Sequence, residues 1–136
     1  MYYTHQKITI IRSNRPPRDS NINEDLQWLG SSLGLFGLRD KDKSCFRIFI
    51  ELLKSAKRRE PISSDELAYR LDLSRGTVIH HINKLIESGL VVPARNRYIL
   101  RVDSLRGLID ELKRDVEKTL EELGTIADKI DETMER

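Results

Sequence analysis

Residues 74–84, SRGTVIHHINK, gather within one short stretch the groups that handle anions and hydrogen-bonding edges. Arg75 carries a planar fork of donors that can meet a guanine edge bidentately. Ser74 and Thr77, with the unpaired amides of a first helical turn, can hold a phosphate, and the helix dipole assists them. Gly76 lets another backbone come close. His80 and His81 can donate or accept, and Lys84 adds a point charge. This is the chemistry of gripping a polyanion, not of making or breaking bonds. The histidine pair gives no metal site, because adjacent helical positions point about 100° apart and no third ligand is evident. No metal and no cofactor are assigned.

Between these groups sit Val78, Ile82, Leu85 and Ile86, at the spacing of a buried helix face. Ser74 caps this helix by bonding near Thr77, and it runs to about Ser88, where Gly89 supplies a left-handed stop. Upstream, Ser63 and Glu66 match the S-x-x-E capping box and open a short helix over 64–71, with Leu67, Ala68 and Leu71 apolar. Asp72-Leu73 makes a tight turn. An earlier helix over 42–58 places Cys45, Ile48, Phe49, Leu52, Leu53 and Ala56 on one face, and Pro61 closes the segment. Cys45 falls on that apolar face, as a structural thiol does.

Two helices joined by a turn of about three residues, after a third, are a helix-turn-helix pattern. Leu90–Val92 and Tyr98–Arg101 are then β-type runs around a loop over 93–97. They read as a hairpin with Arg95, Asn96 and Arg97 at a basic tip, placed to lie over a neighbouring minor groove or its phosphates. The fold expected is mainly α with a small β-hairpin (α+β): a winged helix-turn-helix with a long C-terminal helix.

The rest divides into three segments. Residues 1–20 form a basic arm around Pro16-Pro17, with Arg12, Arg15 and Arg18, read as a frayed terminus with a short strand over 7–12, or else as an arm that lies along phosphates or in a minor groove. Residues 21–102 are the predicted DNA-binding domain, beginning with a short helix capped by Asn23 and broken by Gly30, Gly34 and Gly37. Trp28 and Phe36 serve packing there. Residues 103–136 read as one amphipathic helix, about 45 Å long, with a heptad seam. Leu105, Ile109, Leu112, Val116, Leu120, Leu123, Ile126 and Ile130 are its predicted dimerisation residues, because so long a stripe exceeds what its own domain can cover.

Charge separates along the chain. Residues 1–102 hold 18 Lys/Arg and 11 Asp/Glu, net +7, and residues 103–136 hold 6 and 11, net −5. A basic body with an acidic tail points the body at a polyanion. One cysteine among 136 residues fits a reducing cytoplasm, and no apolar run is long enough to span a membrane. No nucleophile–base arrangement, phosphate-cradling glycine loop or pair of buried carboxylates supports an enzyme.

The stretch DELAYRLDLSRGTVIHHINKLIESGLVV resembles the core of ArsR-type and MarR-type winged-helix regulators, where LA..L.LS..TV..H...L...GLV recurs. The resemblance covers about 42–102, and 65–92 is its specific part. It implies a homodimeric transcription regulator on a roughly palindromic operator. By position, Ser74, Arg75, Thr77, His80, His81 and Lys84 correspond to the DNA-reading face and Arg95 and Arg97 to the wing tip. Where metal-sensing members place two cysteines this chain has Ser63 and Asp65, so metal sensing is not carried over. The high Lys, Arg and Glu content looks like that of some archaeal or thermophile regulators. Two other functions suit the same pattern: a winged-helix module that binds protein through the same surface, and a sensor gated by a small-molecule effector of unknown identity.

Overall fold

Residues 15–16, 18–35 and 43–136 are described by the computed structural model. In chain order they form α1 (Ile22–Ser32), α2 (Ser44–Lys57), β1 (Ile62–Ser63), α3 (Ser64–Leu71), α4 (Arg75–Glu87), β2 (Val91–Ala94), β3 (Arg97–Leu100) and α5 (Leu105–Met134). The strand expected over 7–12, with Phe36 and Gly37, lies outside the described residues. Arg15, Pro16 and Arg18 are exposed and irregular.

The core is built on α2. Its three- and four-residue steps put Cys45, Ile48, Phe49, Leu52 and Ala56 on one face, each at most 1% exposed. That face packs on α4 and β3, and Val78, Ile82 and Leu85 of α4, Leu90, Val91 of β2 and Leu100 of β3 belong to the same cluster. Each large side chain so buried contributes about 1.5–3 kcal/mol.

Caps fix where the short helices begin and end. Ser63 Oγ accepts the Glu66 N–H at 3.1 Å, so the first half of the capping box forms. Glu66 turns its carboxylate to Arg70 Nη2, at 2.6 Å, rather than back to Ser63. Asp72 ends α3 in the left-handed region (φ 54°), and the Leu73 N–H reaches the Ala68 carbonyl. Ser74 opens α4 by accepting the Thr77 N–H at 3.1 Å. At the far end Gly89 is left-handed, its N–H donates to Ile86 and the Leu90 N–H donates to Leu85, which is a Schellman closure.

The sheet adds a strand that the sequence does not announce. β1 pairs antiparallel with β3, and β3 with β2, in the order β1-β3-β2. β1 has two residues, directly after Pro61, and the second of them, Ser63, is also the cap of α3. The expected loop over 93–97 shrinks to Arg95-Asn96, because Pro93 and Ala94 pair with Tyr98 and Arg97. Pro93 is tolerated on β2 because that strand is an edge of the sheet.

α1 differs in detail from expectation. Asn21, not Asn23, is the cap: its side chain accepts the Glu24 N–H at 2.8 Å and returns a donor to the Glu24 carboxylate. The Asn-x-x-Glu spacing permits this, and no acid follows Asn23 at that interval. Gly30 does not break α1 but is buried within it, and the helix closes at Gly34 (φ 73°).

α5 begins at Ser104, whose Oγ accepts the Gly107 N–H at 3.0 Å. A Cβ on Gly107 would sit 2.9 Å from that oxygen, so the glycine makes room for the cap. Leu108 and Leu112 enter the core at 0% and 4% exposure, with Leu105 and Ile109 partly buried against it. Leu112 is therefore a core residue of this chain, and Leu105 and Ile109 pack partly against the same core. Arg101, after β3, donates to Glu111 at 3.1 Å and to both oxygens of Asp115, latching the wing to α5. The hydrogen bond that Arg101 donates to Asp115, then the charges of Asp115 and Glu111, raise the guanidinium pKa against the opposing effect of partial burial. Beyond this latch the helix leaves the domain, and Leu120, Leu123, Ile126 and Ile130 are more than half exposed.

Candidate nucleic-acid interface

Ser74 is the exposed cap of α4, and its hydroxyl also donates to Thr77 Oγ1 at 2.8 Å. The α4 amides before Val78 precede the first intrahelical bond, which runs from the Val78 N–H to the Ser74 carbonyl. Arg75, the first residue of α4, keeps 73% of its side chain exposed, and its Nε lies 2.9 Å from Oδ1 of Asp65 on α3. Gly76 is exposed, and a Cβ placed there would meet nothing within 4 Å. The protein itself therefore does not require glycine at this position. His80 and Lys84 continue the same exposed side, one and two turns further on.

His81 does not. It is 8% exposed, and its ring meets that of His80 edge-on, with centroids 5.2 Å apart. The 100° step from one helical position to the next carries residue 81 between Val78 and Leu85 on the buried face. Its place in the outward-facing set is corrected accordingly. Among the described residues no group of three or more His, Cys, Asp and Glu side chains is placed to hold a metal ion.

The wing brings its basic tip to the same side. Arg95 and Asn96 form a two-residue turn, both with positive φ (50° and 64°), as a type I′ hairpin requires. Asn tolerates this backbone, but arginine at such a position carries a strain of order 1 kcal/mol or more. Arg97 is exposed but tied back, its Nη1 donating to the Pro61 carbonyl at 3.4 Å. A cleft of about 440 Å³ separates the wing from the start of α4; Ser64, Asp65, Arg75, Arg95, Asn96 and Arg97 are among its walls.

One exposed aromatic was not among the sequence candidates. Tyr69, on α3, is 88% exposed, and it lies one helical turn after Asp65, on the side that faces Arg75. The signal available was a large aromatic off the apolar face of Leu67, Ala68 and Leu71. A second feature lies apart from this surface. An apolar groove of about 490 Å³ runs between α1 and α5, walled by Trp28, Leu29, Leu33, Ile109, Leu112 and Val116.

Residues 42–93 match the family model of the helix-turn-helix domain. The match spans α2 through most of β2, including α3, the Asp72-Leu73 turn and α4. The chain therefore carries a helix-turn-helix, a DNA-binding domain with the character of a transcription regulator. No curated protein matches the chain. No helix among the described residues is long and apolar enough to cross a membrane.

Proposed function

We propose that the chain is a sequence-specific regulator that binds double-stranded DNA as a homodimer. The N-terminal end of α4 enters the major groove, and the wing lies on the adjacent backbone or minor groove. The observation that carries the reading is the shared exposure of Arg75, Gly76, His80 and Lys84 on one side of α4, with Arg95 across a cleft open to solvent. Two local oddities support it. Gly76 has room for a side chain, and Arg95 holds a strained backbone that asparagine or glycine would adopt at less cost. Both are unfavourable for the free domain, and both suit a surface approached by a phosphate backbone.

The homodimer is supported by the apolar stripe of Leu120, Leu123, Ile126 and Ile130 beyond the domain, continuous along α5 with the groove that holds Trp28 and Val116. Paired in this way, two copies of α4 can reach major-groove half-sites about 34 Å apart.

Affinity measured by fluorescence anisotropy across a salt series tests the reading. Replacing Arg75 or His80 by alanine is expected to weaken the preferred duplex by about 1–3 kcal/mol and relax choice at one base position. Replacing Arg95 or Arg97 should weaken all sequences alike and flatten the dependence on salt. Gly76→Ala should raise thermal stability by up to about 1 kcal/mol while weakening DNA binding. Binding that ignores salt, or a Gly76→Ala variant that binds as well as wild type, would contradict the placement of α4 against the duplex.

A further inference from the structure

The Arg75–Asp65 pair places a carboxylate in the middle of a basic surface. Both side chains are about 70% exposed, so the pair does little for the fold. An acid here opposes phosphate, and the other charged side chains lining the cleft beside it are Arg75, Arg95 and Arg97. A surface built for affinity alone would leave the acid out. Its position is specific: Asp65 stands in the first turn of α3 and meets the first residue of α4 across the turn of the motif.

We propose that Asp65 is a positioning residue for Arg75, holding the guanidinium side-on so that its end-on edge is presented to a single base pair rather than to the nearest phosphate. The proposal rests on the reading of the α4 N-terminus as the base-reading element. The contact is made by Nε. An Nε contact occupies the side-on edge of the planar fork and leaves Nη1 and Nη2, whose spacing matches O6 and N7 of guanine. An arginine on a flexible stem can otherwise swing to a phosphate, which fixes position but carries no sequence information. The carboxylate removes that option twice over, by tethering the fork and by repelling the phosphate. Once a duplex excludes water from the cleft, the attraction between the two side chains strengthens.

The test begins with duplexes enriched from a random pool by the full-length wild-type protein. Dissociation constants are then measured on the enriched duplex and on a scrambled duplex of equal length, for wild type, Asp65→Ala, Asp65→Asn and Arg75→Ala. Asp65→Ala should bind the scrambled duplex several-fold more tightly, and its ratio of specific to non-specific affinity should fall tenfold or more. Selection repeated with Asp65→Ala should lose preference at the same base pair that Arg75→Ala loses, and nowhere else. Asp65→Asn, which keeps an acceptor oxygen, should retain part of that preference. In an Arg75→Ala background, Asp65→Ala should leave the ratio unchanged. Equal strengthening on both duplexes with the base preference intact would overturn the proposal and make Asp65 a local charge only. If the wild-type protein enriches no sequence, the base-reading premise fails instead, a result distinct from a preference that survives Asp65→Ala. Thermal melting of each variant keeps loss of fold separate from loss of discrimination.

Discussion

The two halves of α5 carry one heptad pattern into two environments. In the proximal half Leu108 and Leu112 are buried in the hydrophobic core cluster, and Arg101 ties the wing to Glu111 and Asp115. In the distal half Leu120, Leu123, Ile126 and Ile130 have the same spacing and stand 54–60% exposed. Periodicity thus states that a stripe needs cover without stating what covers it. The helix continues past the last residue that the core buries, Leu112. An apolar stripe left in solvent for several turns is what a partner surface looks like.

Substitutions along the helix sharpen that contrast. The largest effect is expected at Leu108→Ala, which opens a cavity in a fully buried site and should lower stability by about 2–5 kcal/mol in a denaturant titration, at every protein concentration. A smaller effect is expected at Arg101→Ala. The latch is partly exposed, so its loss should be about 1 kcal/mol. The sign of its pH dependence follows from the raised pKa of Arg101, which is set first by the hydrogen bond to Asp115. A group whose pKa rises on folding stabilises fully below its unfolded value. The difference between wild type and Arg101→Ala should therefore hold steady as pH rises, fading only beyond the ordinary arginine range. The smallest effect on the subunit's own stability is expected when Leu123 and Ile126 are both changed to serine: within about 0.5 kcal/mol in dilute solution. That pair should instead reduce self-association in sedimentation equilibrium. If it costs several kcal/mol in the dilute monomer, the contrast between the halves is wrong.

Much of this architecture is legible in the sequence, because local rules agree with the tertiary ones. Ser74 and Gly89 bracket α4, and Ser63 starts α3, since caps answer to backbone groups a few residues away. The apolar face of α2 is read from its spacing alone. The misses have physical causes as well. β1 is too short for a pattern and exists only because β3 pairs with it. Arg95-Asn96 carries no glycine, so nothing along the chain announces a two-residue turn, and the expected loop over 93–97 is longer than the observed one. His81 looked like a partner of His80 by type, whereas its angle on the helix puts it inside. Within the surface the residue types of α4 were visible, but the Asp65 contact to Arg75 joins two helices and has no signature along the chain.

Hydrogen exchange with and without a duplex most directly tests which surface meets DNA. The account predicts slowed exchange at the first turn of α4, residues 75–78, and at the wing turn, residues 94–97, with residues 120–134 unchanged on adding DNA. Slowing confined to the distal half of α5, or absent from both α4 and the wing while DNA is bound, would contradict it.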